Sequence, residues 1–375
     1  MSNIPFIKGL LLCEEFFKQI IHPLLNKHFP TLQYAACRIG SGSDVLGYDT
    51  EISRDHDWGP KLELLLNDET FAIYNQQLDE CFQQNLNGTI CGYSMKFYPY
   101  IEDSGTTVFV NESTTAVTTV QEERKMKHSI VIKTMRQFFL DYLNWNIDDD
   151  ITISDWLTFP SQHLLTIRVG KVFYDTVGLE NIRSRLNYYP HDVWLYLLLA
   201  SWQRIGQEEH LMCRAGQIGD ELGATLIANR LIRDIMRLIF FIEKQFIPYS
   251  KWFGSAFQNL KNNHLYPILR QIQLADTFLV REKFFSEALE IVAKLHNELK
   301  LTDPLPIRVS QFFSRPFSVI WGGMFADKIF ERIMNPEIKL IALKTKIGSI
   351  DLFVDSTDAL LPEMRLKMKQ LFTLH

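Results

Sequence analysis

Two aspartates separated by one residue, Asp55 and Asp57, stand in the segment Arg54-Asp55-His56-Asp57-Trp58. On an extended strand this spacing places both carboxylates on one face, because successive side chains alternate between the two faces. Carboxylates at close range repel each other and resist joint ionisation, and a bound cation relieves that repulsion. Mg²⁺ prefers oxygen ligands and commonly binds through one or two carboxylates together with substrate phosphates. The pair therefore predicts a Mg²⁺ site with Asp55 and Asp57 as ligands.

A turn of small residues precedes the two aspartates. The apolar segment 32–39 predicts a strand, and it runs directly into the turn Gly40-Ser41-Gly42-Ser43-Asp44. Backbone N–H groups of a glycine-rich turn approach phosphate closely, and the positive end of a following helix adds to the attraction. The hydroxyls of Ser41 and Ser43 can donate further hydrogen bonds. We therefore expect Gly40, Ser41, Gly42, Ser43 and Asp44 to form a binding site for the phosphates of a nucleoside triphosphate.

These two segments together resemble the signature of the polymerase-beta-type nucleotidyltransferase superfamily. In that signature an apolar residue and Gly-Ser or Gly-Gly precede Asp-x-Asp by about a dozen residues. The longer string GSGSDVLGYDTEISRDHDWGP is similar to an uncharacterised bacterial family of nucleotidyltransferases. Four later strings also resemble this family: YYPHDVWLYLL, QRIGQEEH, GDELGA and PYSKWFGSAF. The resemblance covers the chain from about residue 36 to residue 325.

The resemblance implies a reaction class. A Mg²⁺-dependent enzyme of this kind moves a nucleoside monophosphate from a nucleoside triphosphate, here expected to be ATP, to a hydroxyl or an amine and releases pyrophosphate. Asp55 and Asp57 would hold the metal, while Gly42 and Ser43 would hold the β- and γ-phosphates. The acceptor is left open by the sequence and is a small molecule, a protein side chain or an RNA end.

The sequence departs from the superfamily pattern in two ways. His56 stands between the aspartates, where a hydrophobic residue is usual. The superfamily also has a third carboxylate on a neighbouring strand, but the predicted strands 94–100, 106–110 and 129–132 contain no Asp or Glu, and Glu102, Asp103 and Glu112 only flank them. In related antibiotic-modifying nucleotidyltransferases a carboxylate of the helical domain serves as the base, which makes Glu208 and Glu209 candidates. A second interpretation is a catalytically inactive module that binds nucleotide or a partner protein.

The predicted helix 220–246 is apolar nearly all round, yet it carries Arg230, Arg233, Asp234 and Arg237 in one stripe. Buried charges are costly unless they are paired. The stripe is therefore either a phosphate-binding surface or an internal ladder of ion pairs. Lys251, between Tyr249 and Trp252, is likewise either a triphosphate ligand or part of a packed aromatic turn.

Composition and periodicity set the framework for these residues. The chain has 375 residues, a net charge of −5 and 46% apolar residues, which argues against a disordered protein and against a broad nucleic-acid-binding surface. The amphipathic pattern near the N-terminus is too interrupted for a signal peptide or a membrane span, so we expect a cytoplasmic protein with no membrane partner. Strand patterns nearly vanish after residue 177, and the stretch 169–175 predicts a hairpin that turns at Gly170. The predicted fold is α+β, with a mixed sheet flanked by helices in a domain of residues 1–180 and an all-α bundle in residues 181–375.

Overall fold

The computed structural model describes residues 4–101, 107–113 and 127–373. The chain forms two units. The first comprises Met1–Asp150 and His163–Asn187, and the second comprises Ile151–Gln162 and Tyr188–His375. The boundary predicted after residue 180 lies near residue 187, where the first unit ends. The assignment of residues 151–162 to the second unit was not predicted.

Strands and helices follow the segregation that the composition indicates. In the described residues the strands are β1 (Ala35–Arg38), β2 (Leu62–Leu66), β3 (Thr89–Ile90), β4 (Tyr93–Ser94), β5 (Phe97–Ile101), β6 (Thr107–Asn111), β7 (Ile130–Thr134), β8 (Lys171–Asp175), β9 (Ser310–Gln311) and β10 (Ser318–Val319). The helices are α1 (Gly9–Phe16), α2 (His22–His28), α3 (Asp68–Asn85), α4 (Met135–Leu143), α5 (Ile153–Thr158), α6 (Ser161–Val169), α7 (Leu179–Arg185), α8 (His191–Glu208), α9 (Leu211–Gln217), α10 (Glu221–Ile242), α11 (Ser250–Gln258), α12 (Tyr266–Leu274), α13 (Phe278–Glu298), α14 (Gly322–Phe330), α15 (Pro336–Lys344), α16 (Ile350–Phe353) and α17 (Pro362–Met368).

The main sheet of the first unit has the strand order β7-β2-β1-β8. Strand β1 pairs antiparallel with β2 and with β8, whereas β2 and β7 run parallel, so the sheet is mixed. All four residues of β1 and four of the five residues of β2 are buried. Both central strands are therefore covered on both faces, which explains why they read as apolar runs rather than as alternating patterns.

The core of the first unit forms where helices cover this sheet. Leu12 and Phe16 of α1, Leu64 of β2, and Leu78 and Phe82 of α3 are all fully buried in one cluster. Helix α3 begins with Asn67 as its N-cap, whose side chain accepts a hydrogen bond from the Thr70 N–H. The sheet and its helices thus form a fixed base for the loops that follow β1 and precede β2.

Helix α8 is the centre of the second unit. Its Trp202 stacks on Phe325 of α14, with ring centroids 4.1 Å apart. The two helices approach at glycine, because a Cβ atom on Gly206 would lie 2.4 Å from the backbone nitrogen of Gly323. The close approach requires a residue without a side chain at this crossing. Among the described helices, none is at once long enough and apolar enough to cross a membrane.

The predicted fold class is confirmed. The first unit has a four-stranded mixed sheet flanked by helices, and the C-terminal part of the chain is helical. The predicted hairpin over residues 169–175 is wrong. Helix α6 continues to Val169, and β8 then pairs with β1 at the edge of the main sheet. Gly170 follows the helix end, where a Cβ atom would lie 2.6 Å from the carbonyl oxygen of Arg38.

Candidate functional site

The Gly-Ser bend begins directly after β1. Gly40 and Gly42 have φ angles of 90° and 148°, a backbone region that residues with a side chain rarely adopt. Gly42 is further restricted by its surroundings. A Cβ atom there would lie 2.0 Å from Oδ1 of Asp44 and 2.3 Å from Nη2 of Arg38. The glycine that the sequence analysis assigned to phosphate binding is therefore also required by an ion pair beneath the bend.

Arg38 is the residue around which the bend closes. Its side chain is 2% exposed, and it donates through Nε and Nη2 to the two carboxylate oxygens of Asp44, at 2.7 and 2.9 Å. Nη1 donates to Glu63 at 3.0 Å, and Nη2 also donates to the carbonyl oxygen of Ser41 at 2.7 Å. Burial opposes ionisation of Asp44, but the guanidinium outweighs it and the pKa of Asp44 lies below its usual value. Asp44, which we expected at the phosphate site, uses both carboxylate oxygens to hold Arg38.

Asp55 and Asp57 do not lie on a strand, so the prediction of a common strand face is wrong. They follow a short 3-10 helix, Glu51–Arg54, and precede β2, which begins only at Leu62. Asp57 has a left-handed φ of 49°, and Gly59 and Pro60 come next in the chain. A left-handed residue ends the alternation of an extended chain, and proline cannot donate to a strand ladder. The two carboxylates therefore have independent surroundings.

The contacts of the two aspartates differ. The N–H of Asp57 donates to the carbonyl oxygen of Phe109 at 2.6 Å, and its Oδ1 accepts from the N–H of Phe109 at 3.0 Å. The side chain of Asp55 is 60% exposed, and its carboxylate contacts the adjacent His56, whose N–H donates to Oδ1 at 3.0 Å. Asp57 is thus fixed against β6, whereas Asp55 lies at the surface beside its own neighbour.

A cavity of about 590 Å³ joins the Gly-Ser bend to Asp57. We call it the bend cavity. Its walls are formed by Arg38, Ile39, Gly40, Ser41, Asp57, Lys61, Glu63, Asp79, Gln83, Phe97, Phe109, Lys127, His128, Ser129, Ile130, Val131, Lys133, Phe138 and Tyr142. Of the predicted phosphate and metal residues in the described chain, Gly40, Ser41 and Asp57 line it, and Gly42, Ser43, Asp44 and Asp55 do not. Its volume falls in the range that small-ligand sites occupy.

Three lysines give the bend cavity cationic walls. Lys61 is half-buried, and its Nζ donates to the carbonyl oxygen of Asp57. Burial lowers the pKa of Lys61, and the nearby Arg38 guanidinium lowers it further. Lys133 pairs with Asp141 at 2.7 Å, and Lys127 is exposed. The lysines attract a negatively charged ligand, and Asp57, Glu63 and Asp79 of the same wall oppose that attraction.

Aromatic rings form another part of the wall. Tyr142 stacks on His163 with ring centroids 4.1 Å apart, and its hydroxyl lies 2.8 Å from Oγ1 of Thr166. Ser41 also hydrogen-bonds the Tyr142 hydroxyl. Burial raises the pKa of this hydroxyl, and the hydrogen bonds partly oppose the rise. The ring is therefore held in a fixed orientation as a flat apolar surface beside the bend.

Glu63 is one of the cavity residues that sequence analysis missed. It lies on β2, where Oε1 accepts from Arg38 and Oε2 accepts from the N–H of Ile39 at 3.1 Å. Burial raises the pKa of its carboxyl group, against the opposing effect of Arg38. A signal existed in the sequence, because Glu63 is the one charged residue of the run Leu62-Glu-Leu-Leu-Leu66, and a buried charge demands a partner.

The donor set fits a metal that arrives with phosphates better than a preformed metal cage. Among the described residues there is no group of three His, Cys, Asp or Glu side chains placed to hold an ion. Asp57 contributes a carboxylate to the bend cavity, and both oxygens of Glu63 are already engaged. Mg²⁺ needs only one or two carboxylates when substrate phosphates complete its coordination. Asp57 can therefore serve such an ion, with Asp55 two residues earlier in the chain.

The predicted third acids have other contacts. Glu208 pairs with Arg230 at 2.5 Å. Glu209 is 3% exposed and accepts hydrogen bonds from the N–H groups of Ile320, at 2.6 Å, and Gly322, at 3.0 Å. Burial raises the pKa of Glu209 to about 7. This carboxylate secures the backbone turn at the start of α14.

The acids that flank the predicted strands add no further member to the site. The carboxylate of Glu112 accepts hydrogen bonds from the hydroxyls of Ser94 and Tyr98, and Glu112 does not line the bend cavity. Glu102 and Asp103 lie outside the described residues.

The arginine stripe of α10 is divided among different partners. Arg230 is half-exposed beside Glu208, and Arg233 pairs with Asp355 at 2.7 Å. Arg237 is buried and lies 3.5 Å from Asp234, which holds Arg204 more closely at 2.6 Å. Each charged side chain of the stripe therefore takes part in an ion pair. This agrees with the interpretation of the stripe as a set of ion pairs. Lys251 lies over the ring of Trp252, with 5.1 Å between Nζ and the ring centroid.

Comparisons with known proteins place a family model and a solved structure beside this chain. Residues 156–253 match the model of a family described as a domain of unknown function, DUF4037. A crystal structure of a nucleotidyltransferase-like protein from Exiguobacterium sibiricum matches with a TM-score of 0.29 and 11% sequence identity, covering 81% of this chain and 97% of the other. No curated protein matches the chain. Likeness at this level is too distant to assign an activity.

Proposed function

We propose that the first unit binds a nucleoside triphosphate with Mg²⁺ in the bend cavity and transfers its nucleoside monophosphate to an acceptor hydroxyl or amine. One observation carries the proposal: Gly40 and Ser41 of the bend line the same cavity as Asp57. Binding phosphate and holding a metal at the phosphate are the two tasks that this chemistry requires.

In this proposal each group of wall residues has its own role. The bend and the cations of Lys61, Lys127 and Lys133 would bind the triphosphate, because ammonium groups and turn amides are the usual phosphate partners. The flat ring of Tyr142 offers a stacking surface for the base. The side chain of Arg38 supports the bend from beneath, since its donors are engaged by protein acceptors.

Mg²⁺ would supply charge neutralisation at the transferred phosphoryl group. Asp57 would hold it in this proposal, and Asp55 is the second candidate ligand. ATP is the donor expected from the sequence resemblance, and the acceptor remains one of the three classes named above. The proposal assigns no residue as the base that activates the nucleophile. The predicted candidates, Glu208 and Glu209, make their contacts within the second unit.

A catalytically inactive nucleotide-binding module is the second candidate. It is favoured by a specific observation, namely that Asp55 does not line the bend cavity and that both oxygens of Glu63 already have partners. Such a module would bind the triphosphate through the same bend and lysines without transferring it.

The experiment compares binding and transfer in the same preparations. ATP binding is measured by calorimetry with and without Mg²⁺, and transfer is measured by incorporation of label from the α-phosphate into acceptor fractions. Asp57→Asn keeps a side chain that tolerates the left-handed backbone, and it retains an oxygen for the Phe109 N–H. The matched control is Asp149→Asn, an exposed site that is not a wall residue of the bend cavity.

We expect wild type and Asp149→Asn to bind ATP more tightly with Mg²⁺ and to transfer label, and Asp57→Asn to lose transfer and the Mg²⁺ effect. Tight Mg²⁺-dependent binding without transfer to any fraction would establish the inactive module instead. Absence of ATP binding by wild type contradicts both candidates.

A further inference from the structure

The second unit contains a cavity of its own, of about 410 Å³. We call it the arginine cavity. Its walls are formed by Gln162, Arg233, Arg237, Ile247, Pro248, Tyr249, Ser250, Phe253, Asp351, Val354, Asp355, Ser356, Thr357, Ala359 and Leu360. Two guanidinium groups in the wall of one small-ligand-sized cavity are a strong attraction for an oxyanion, because the planar donors of arginine match carboxylate and phosphate oxygens.

Arg237 forms a fixed part of this wall. It is 8% exposed, and its Nη2 donates to the carbonyl oxygen of Asp351 at 2.7 Å, while Nη1 lies 3.4 Å from that of Leu352. Its nearest described carboxylate oxygen is on Asp234, which is engaged more closely by Arg204. The carboxylates of Asp234 and Asp351 offset part of the charge of Arg237, and its guanidinium is held in place as part of the wall.

Arg233 lies one helical turn earlier on α10 and is held less firmly. Nη1 pairs with Asp355 at 2.7 Å, and the Asp355 side chain is 77% exposed. The Nε group of Arg233 is buried and has no hydrogen-bond partner among the described residues. An ion pair with such an exposed partner is weak, because solvent screens it. A ligand anion can therefore replace Asp355 at small cost and also satisfy the unpaired donor.

The first turn of α11 adds a third attraction. This nine-residue helix begins at Ser250, and the side chain of its N-cap residue Tyr249 makes no capping hydrogen bond. The positive end of the helix attracts anions, and the Ser250 hydroxyl is a further donor in the same wall. The remaining carboxylate, Asp351, accepts the N–H of Ser161 at 3.0 Å.

We propose that the arginine cavity binds the phosphate group of a small phosphorylated ligand. The phosphate displaces Asp355, binds the guanidinium of Arg233 and takes hydrogen bonds from Ser250 and the first turn of α11. Asp355 then acts as a competing internal anion that occupies the site when the ligand is absent. This site stands independently of the bend cavity, because every residue of it belongs to the second unit.

The test uses the full chain carrying Lys61→Gln, Lys127→Gln and Lys133→Gln, so that the lysines of the bend cavity do not contribute to binding. Inorganic phosphate, AMP and acetate are titrated separately by calorimetry into this protein and into versions with one further change. Arg233→Gln removes the proposed ligand. Arg230→Gln is the matched control, since it lies on the same helix beside Glu208 and is not a wall residue of the cavity. Asp355→Asn removes the competing anion.

We expect phosphate and AMP to bind, Arg233→Gln to raise their Kd by about tenfold or more, and Arg230→Gln to leave it unchanged. Asp355→Asn should lower the Kd, which a purely structural role for Arg233 does not explain. Equal effects of Arg233→Gln and Arg230→Gln, or weaker binding by Asp355→Asn, would overturn the site. Acetate binding as tightly as phosphate would overturn the assignment to phosphate. Circular dichroism confirms that each variant is folded.

Discussion

The Arg38 guanidinium and the Asp44 carboxylate form a buried two-point ion pair across the Gly-Ser bend, with donor–acceptor distances of 2.7 and 2.9 Å. The Ser41 carbonyl accepts a further hydrogen bond from the same guanidinium. The bend is therefore held from beneath by charge, and its upper surface is left to face the bend cavity. Breaking one partner of a buried pair is costly, because the other charge is left uncompensated.

Gly42→Ala tests this arrangement. The new methyl group would meet Asp44 and Arg38 at 2.0 and 2.3 Å, and the φ of 148° is unfavourable for alanine. We expect a loss of about 2–4 kcal/mol in the free energy of unfolding, measured by urea denaturation. Gly88→Ala is the control, because its added Cβ atom has only an ordinary contact with Met95 at 3.4 Å. Equal stability of the two variants would show that the bend adapts without the ion pair.

Lys61→Gln tests the cationic wall of the bend cavity. Removing this half-buried ammonium should raise the Kd for ATP by about tenfold and flatten its dependence on salt, because one charge-assisted contact to phosphate is lost. Lys27→Gln, an exposed change on α2, should leave both quantities unchanged. The measurement is calorimetric titration at two ionic strengths. An unchanged Kd in Lys61→Gln would place the triphosphate elsewhere.

Glu209→Gln should change how stability depends on pH. The folded pKa of about 7 lies above the ordinary value of 4.5, so the folded state binds more protons between these pH values. The contribution of Glu209 to stability therefore decreases as pH rises from about 4.5 to 7, by up to about 3 kcal/mol. Buried His296, whose pKa burial lowers to about 4, acts in the opposite direction between 4 and 6.5.

The difference between wild type and variant isolates the contribution of Glu209, because His296 is common to both. Urea denaturation at closely spaced pH values should show wild type losing stability relative to Glu209→Gln as pH rises towards 7. A constant difference across that range would mean that the carboxylate ionises normally in the folded protein.

Gly206→Ala should destabilise the second unit at the crossing of α8 and α14. A Cβ atom would lie 2.4 Å from the Gly323 nitrogen, so the helices must separate. We expect a loss of about 1–3 kcal/mol, as for overpacking in a core. Gly254→Ala, on α11 with nothing within 4 Å of the added atom, should be neutral or slightly stabilising. The melting temperatures of the two variants are compared by thermal unfolding. Equal destabilisation of Gly254→Ala would mean that the loss in Gly206→Ala does not come from the helix crossing.

Much of the fold was predictable because its elements carry strong local signals. The apolar segment before Gly40 predicted β1, and the apolar stretch 220–246 predicted α10. The prediction of a hairpin at Gly170 was wrong because the segment joins the end of α6 to the start of β8, and only the second part is a strand. A glycine after a helix end and a glycine in a hairpin turn look alike without tertiary contacts.

The candidate site was predictable only in part. The sequence identified the bend and Asp57, but it placed both aspartates on a strand although Gly59 and Pro60 follow them. Lys127 and Lys133 reach the bend cavity because β7 pairs beside β2, and no spacing in the chain reveals that pairing. Glu63 was not predicted because it lies outside the three strands in which a third acid was expected. It is the one charged residue in a run of leucines.

The passage of residues 151–162 into the second unit before β8 has a practical consequence for truncation. A fragment that stops at residue 150 lacks β8 and leaves the backbone groups of β1 without a partner along one side. Exposed strand edges recruit other chains, so such a fragment should aggregate. A soluble version of the sheet-bearing half must extend through residue 187 and will carry the borrowed segment with it.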